Sequence, residues 1–201
     1  MYPYPEKRIL ENEHIILTPM DISDTNSLYR VIEQNDDNLF YHMFFGPFKS
    51  EEDVRLYIES QLQNTANVVF TVLSKRSQEV VGSVSLININ NKTGEAEIGS
   101  IWYSLKVQHT EVNTAVALCL LKYLFDDLHY RRVVWKCDDI NISSKKSAEA
   151  LGFVYEGLFR KHMIIKGRNR DTAWYSMIDD EWAGKKSGLQ QRLKIKLMKT
   201  H

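Results

Sequence analysis

The sequence predicts an α+β fold, with a mixed but mostly antiparallel central sheet flanked by helices, and three observations carry that expectation. Residues 68–74 (VVFTVLS), 80–89 (VVGSVSLINI) and 95–103 (EAEIGSIWY) are successive strand patterns joined across Lys75 to Gln78 and Asn91 to Gly94, which makes an antiparallel meander. Residues 114–128 (TAVALCLLKYLFDDL) carry Ala115, Val116, Cys119, Leu120, Tyr123, Leu124 and Leu128 at helical spacing, with Leu118, Leu121 and Phe125 on the other side. Such a helix is buried nearly all round. RRVVWKC (131–137) is then a strand again, and a strand–helix–strand crossover brings it back parallel.

The other elements follow in order. HIILT (14–18) is a short strand, and Asp21 or Ser23 caps a helix carrying Leu28, Val31 and Ile32. An aromatic loop holds Phe40, Tyr41, Phe44, Phe45 and Phe48 and is broken at Gly46-Pro47. Ser50 and Asp53 form a capping box, with Asp in place of Glu, for a helix with Val54, Tyr57, Ile58 and Leu62. Ser143 or Ser144 starts a short helix that ends at Leu151-Gly152, with Gly152 as its C-terminal cap. FVYEGLF (153–159), KHMIIK (161–166), the turn at 167–170 and DTAWYSMI (171–178) supply closing strands. No repeat or interdomain linker interrupts the chain, so residues 1–182 are expected to form one domain and 183–201 a basic C-terminal tail.

Composition removes several function classes. Lys plus Arg equals Asp plus Glu at 26 each, so no global field draws the chain to nucleic acid or membrane. The N-terminus lacks the apolar run of a signal peptide and no stretch approaches membrane-spanning length, so a reduced, cytoplasmic setting is expected. Cys119 and Cys137 match no metal spacing and are read as buried, inert thiols. No metal is expected.

Several strings resemble one family: LTPMD (17–21), AEIGSIWY (96–103), the loop and helix at 108–128, NISS (141–144), ALGFVYEGLFR (150–160) and RDTAWYS (170–176). The element order and these strings resemble the GNAT acyl-CoA-dependent N-acetyltransferases, in the branch of the ribosomal-protein alanine N-acetyltransferases, over roughly residues 10 to 182. The resemblance implies a V-shaped splay between the strands at 95–103 and 131–137, and acetyl-CoA as co-substrate with a primary amine as acceptor. LGF followed by YEGLFR, after N-x-x-S, is its most specific element.

The residues themselves supply a chemistry of that kind. A strand entering a buried helix through a polar loop collects unpaired N–H groups where a pyrophosphate would sit. Here that loop is Gln108, His109, Thr110, Glu111, Val112 and Asn113, reaching Thr114. Gln108 fits the family pattern, whereas Glu111 and Asn113 replace small residues; the residues alone also fit an ordinary polar turn with Thr110 as helix cap. An extended strand edge can pair with the peptide-like pantetheine arm, and Ile101, Trp102 and Tyr103 are the candidates. Gly99 marks a bulge or a close approach, or else packing of Trp102 or Trp135 over bare backbone. The resemblance gives Asn141 to the pantetheine arm as well.

The acceptor amine must lose a proton before attack, and Glu97, on the strand lining the expected cleft, is the candidate base; a solvated strand glutamate is the alternative. His162 reads as a surface histidine, and Met163 stands where some relatives carry a carboxylate. The leaving thiolate can use a proton donor. The family's tyrosine position holds Ala148, and the resemblance to the ribosomal-protein branch implies Ser144, the serine of N-x-x-S, in its place, with helix capping as its other use. No cysteine is placed as a nucleophile, which favours direct attack over an acyl-enzyme. The basic hairpin tip from Lys166 to Arg170 receives an acidic group or is simply solvated. In the tail, Leu189, Leu193 and Leu197 recur every four residues as a basic amphipathic helix that docks, pairs in a homodimer, meets an anionic surface or frays. Two functions follow: an acetyl-CoA-dependent N-acetyltransferase for a small molecule or a protein N-terminus, or a non-catalytic acyl-CoA sensor.

Overall fold

A computed structural model describes residues 1–35 and 37–198, with the side chains of Asp37, Leu197 and Met198 outside the description. Eight strands form one sheet in the order β1-β2-β3-β4-β5-β6-β8-β7, with β1 Leu10–Glu11, β2 Ile15–Pro19, β3 Val68–Ser74, β4 Glu79–Asn90, β5 Glu95–Tyr103, β6 Arg132–Asp138, β7 Val154–Ile165 and β8 Arg168–Ile178. Five helices cover it: α1 Thr25–Glu33, α2 Glu51–Gln63, α3 Val112–Lys122, α4 Ile142–Leu151 and α5 Asp179–Met198. All pairings are antiparallel except β5 with β6, the return that the crossover through α3 requires.

Local chemistry explains most boundaries. Asp21 and Ser50 both close capping boxes, Asp21 over a 3-10 turn ahead of α1 and Ser50 with Asp53 at the start of α2. Helix α3 is buried at every position from Thr114 to Leu121 and widens into a π turn over Tyr123–Asp127. Two boundaries depart from expectation. Asn141, not Ser143 or Ser144, caps α4, its Oδ1 accepting from the Ser144 amide at 3.1 Å. The segments at 153–159 and 161–166 are one strand, bent where Lys161 takes φ +48° and its amide donates to Asp171 Oδ1. Of the courses expected for the tail, docking is the one seen: residues 183–198 continue α5 and lie on α3, burying Leu189 and Leu193 in the core, while the Leu197 side chain is outside the described residues. Cys119 and Cys137 are free and buried as expected.

Two cores flank the sheet. The larger joins α3 and α5 to one face; the smaller packs Leu28, Ile32, Phe40, Val54, Ile58 and Trp102 on the other. Between β4 and β5 the backbones are locked at Gly82, where a Cβ would stand 2.1 Å from the Trp102 carbonyl oxygen. Gly82→Ala is therefore expected to cost about 1–3 kcal/mol, the usual range for overpacking, read as a lower thermal midpoint; an unchanged midpoint would show that the β4–β5 contact can relax.

Candidate active site

Strands β5 and β6 pair over only three residues, Glu95–Arg132, Ala96–Val133 and Glu97–Val134, and then part. Beyond Glu97 the β6-facing edge of β5 has no strand partner among the described residues, although β5 runs to Tyr103 and β6 to Asp138. A bulge places one extra β5 residue between Gly99 and Trp102, and Ser100 takes φ +50° there, a conformation that bends a strand. The V-shaped splay expected from the sequence is thus present, and a cleft of about 1030 Å³ occupies it.

At one end of the cleft lies the loop into α3. The amides of Asn113 and Thr114 in the first turn of α3 have no hydrogen-bond partner among the described residues, and both residues border the cleft. Gln108, His109 and Thr110 border it too, with His109 at φ +63°. Two expected contributors do not face it. The Val112 amide is already held by Thr110 Oγ1 at 3.3 Å and its side chain is buried. Glu111 is 5% exposed and does not border the cleft; its Oε1 lies 3.5 Å from Arg76 Nε, and its Oε2 is buried without a partner among the described residues. Helix α5 adds what the sequence did not reveal: Arg192 and Lys196 border this end, and Lys196 Nζ donates to the Thr110 carbonyl at 2.5 Å. Burial and the neighbouring Arg192 charge pull the Lys196 ammonium below its ordinary value.

Along the middle of the cleft, Ile101, Trp102 and Tyr103 all contribute lining, but the rings of Trp102 and Tyr103 are buried, so the backbone edge is what this stretch offers. Asn141 sits across from it with Oδ1 engaged in capping and Nδ2 without a partner among the described residues. Ser144 Oγ accepts the Trp135 indole N–H at 3.0 Å, which leaves the hydroxyl hydrogen free to donate. Cys137 lies beside it, and burial pushes that thiol up, away from the reactive thiolate.

Glu97 stands where the two strands separate and is 6% exposed. Its Oε2 accepts from Lys136 Nζ at 2.8 Å and from Asn88 Nδ2 at 2.7 Å, while Oε1 has no partner among the described residues. Asn88 is aimed at it by a second bulge, where its φ is +49°. Lys136 is held from behind by the Trp174 ring, 4.0 Å from Nζ to the centroid. Gly99 leaves the room this arrangement needs, since a Cβ there would meet Ile87 Cδ1 at 2.7 Å and Glu97 Oε1 at 3.3 Å.

The far end is built by the 40–48 loop and the β7–β8 hairpin. Phe40 is core, packed on Phe45, Phe48 and Trp102, whereas Phe44 is exposed at the rim. The basic hairpin tip is not a solvated turn: Lys166 donates to the carbonyls of Phe40 and Phe45, and Arg168 pairs with Asp138 at 2.7 Å and bonds the Tyr41 carbonyl. Burial alone would raise the Asp138 carboxyl, but hydrogen bonds from His42 and Arg168 outweigh it and hold it below its usual range. His162 borders the cleft, its Nδ1 3.0 Å from Thr172 Oγ1, rather than lying on an open surface.

A splayed parallel pair beside a buried helix with open N-terminal amides is the architecture of one family, and its profile, described as the acetyltransferase (GNAT) domain, matches residues 14–154. The chain belongs to the GNAT acetyltransferases. It is 29% identical over 182 residues to the Bacillus subtilis protein YdaF, whose name assigns it provisionally to the ribosomal N-acetyltransferases; the match covers 87% of this chain and 97% of that one. Among solved structures it is similar to a GCN5-related N-acetyltransferase from Brucella melitensis, with a TM-score of 0.93 at 33% identity over 96% of this chain and 88% of the other. It is also similar to the microcin C7 self-immunity acetyltransferase MccE in complex with acetyl-CoA and AMP, with a TM-score of 0.75 at 27% identity over 83% and 93% of the two chains. The GNAT chain described here is an N-acetyltransferase by this membership. No cluster of metal-ligating residues occurs among the described residues, and no described helix is long and apolar enough to cross a membrane.

Proposed function

We propose that the protein transfers the acetyl group of acetyl-CoA directly to a primary amine, of a small molecule or of a protein N-terminus. The observation that carries this is the splay itself: an unpaired β5 edge runs from open amides at the start of α3 to a carboxylate, Glu97, in one continuous cleft. In this reading the amides of Asn113 and Thr114, with Arg192 and Lys196, meet the pyrophosphate, the β5 edge and Asn141 pair with the pantetheine arm, and the thioester lies near Ser144 and Glu97. Glu97 Oε1 takes the ammonium proton, directly or through a water, so that the neutral amine attacks the carbonyl carbon. As the tetrahedral intermediate collapses and the C–S bond breaks, the Ser144 hydroxyl gives its proton to the departing sulfur and recovers, through water, the one that the attacking nitrogen loses, so that CoA leaves as the thiol and the product as a neutral amide. MccE, by its description, holds acetyl-CoA in the same fold, which supports the co-substrate assignment. Incubating the protein with acetyl-CoA and a panel of amines and N-terminal peptides, with free thiol and acetylated product followed together, tests this. Acetyl-CoA binding by calorimetry with no thiol release above the uncatalysed rate would instead make the protein an acyl-CoA sensor.

Ser144 has a test of its own. Ser144→Ala is expected to lower kcat about ten-fold or more while acetyl-CoA affinity stays within about two-fold. It also strips the acceptor from the buried Trp135 N–H, so a thermal loss of about 1–3 kcal/mol accompanies it. A thermal loss with kcat unchanged would leave Ser144 as a packing residue.

A further inference from the structure

Four cations gather at the acceptor end of the cleft, and three of them are matched. Lys136 has Glu97, Arg168 has Asp138 through Nη2 although its Nη1 is sealed without a hydrogen-bond partner among the described residues, and Lys166 has two backbone carbonyls. Arg170 is different. It is 8% exposed, yet its only hydrogen bond runs from Nε to Thr172 Oγ1 at 3.1 Å, and Nη1 and Nη2 have neither hydrogen-bond nor ion-pair partner among the described residues. Neither nitrogen is sealed from solvent, and Arg170 borders the cleft. The exposed Phe44 ring lies 5.6 Å from the guanidinium carbon and covers it from the rim.

Burying a charge without a partner is costly, and a guanidinium cannot escape the cost by losing its proton. Burial pulls Arg170 below its ordinary value, and the more distant charges of Asp138 and Glu97 only partly offset this. The side chain is nonetheless fixed: Thr172, fully buried, holds Nε and is itself in contact with His162 Nδ1, so the fork of Nη groups is presented in one orientation. A fixed planar fork of N–H donors matches the two oxygens of a carboxylate or phosphate.

From this, and resting on the acetyltransferase reading above, we infer that Arg170 binds an oxyanion of the acceptor, and that the acceptor is a small amine carrying a carboxylate or phosphate. Its ammonium approaches Glu97 Oε1 while its anionic group lies on Arg170, so the two ends of one zwitterion answer two opposite charges of the same cleft. A protein N-terminus followed by neutral residues has no group for Arg170 and is a poor acceptor.

The test compares amines that differ only in the anion. Glycine and β-alanine are set against their amides, and ethanolamine phosphate against ethanolamine, with initial thiol-release rates measured for wild type, Arg170→Gln and Arg170→Lys. Wild type is expected to favour the anionic member of at least one pair by about ten-fold or more in kcat/KM. The carboxylate and phosphate arms identify which oxyanion is used. Arg170→Gln removes the preference and Arg170→Lys restores part of it. No preference in wild type, the same preference in Arg170→Gln, or equal rates with a neutral N-terminal peptide overturns the proposal. If no amine is acetylated, the acetyltransferase reading fails separately. Calorimetric binding of the same pairs in the presence of CoA then decides: anion-dependent binding lost in Arg170→Gln upholds the Arg170 subsite, and binding that is absent or indifferent to the anion overturns it. Thermal melts of both variants confirm folding, and Arg170→Lys, which keeps the charge, carries the comparison if Arg170→Gln does not fold.

Discussion

Glu97→Gln is expected to reduce kcat/KM by about 100-fold or more at neutral pH, the lower end of what a positioned general base contributes. The substitution keeps the shape and a hydrogen-bonding oxygen, and the Trp174 ring still faces Lys136. What it removes is the ability of Oε1 to accept the ammonium proton. The loss should shrink as pH rises, because solution itself then supplies neutral amine, and it should shrink most for an amine of high pKa, about 10.4 for a lysine-type group. A defect confined to a raised KM for the amine, with no recovery that follows the amine's pKa, would make Glu97 a binding residue. A wild-type to variant ratio near unity over about pH 6.5–9.5, a range bracketing an α-amine pKa of about 7.7–8.0, would place the base elsewhere. Since a buried ion pair that loses one partner can cost about 3–5 kcal/mol, the rates are to be read beside a thermal melt.

The second large effect is expected at α5. Arg192→Ala combined with Lys196→Ala should raise the Kd for acetyl-CoA by about ten-fold or more, as the loss of one well-formed charge-assisted contact would. The effect should diminish with added salt, because Arg192 is exposed and its attraction is screened. Leu189 and Leu193 carry the docking of the helix, so the fold is expected to survive the double substitution. An unchanged Kd at low salt would show that the loop amides suffice and that α5 is only a structural strut. The loop has Glu111 and Asn113 where small residues would let phosphates nearer, and a pair of cations brought in from the C-terminal helix compensates in charge for what the loop lacks in approach.

What could be read in advance depended on whether the signal was local. The meander was legible because alternation and short turns fix each strand within a few residues, and both capping boxes carry their partners three residues apart. Asn141 carries the same signal, with the Ser144 amide three residues on, but neighbouring serines offered equally good caps. Residues 153–159 and 161–166 were legible as strands on either side of Arg160, whereas they form one strand that carries its extra residues as a bulge. The site was legible only in outline. Glu97 could be found from its strand, but Lys136, its partner, comes from the next strand of the sheet and has no sequence signature. Nor did the sequence say that Glu111 would turn to Arg76, that the Val112 amide would be spent on Thr110, or that Arg192 and Lys196 would reach the loop. Leucine spacing in the tail pointed to a docking face, but which element receives it is a tertiary fact. Arg170 was visible only as one of several hairpin cations; burial without a partner set it apart.

Everything proposed for the site depends on acetyl transfer across the splay between β5 and β6. Its most direct measurement is a single-turnover reaction of the full chain with acetyl-CoA and an amine, in which free thiol, acetylated amine and the intact mass of the protein are quantified together. One thiol released for each acetylated amine, with the protein mass unchanged throughout, is the result predicted for direct attack in the cleft. Acetylated protein appearing before acetylated amine, or acetyl-CoA bound and returned intact, would contradict it.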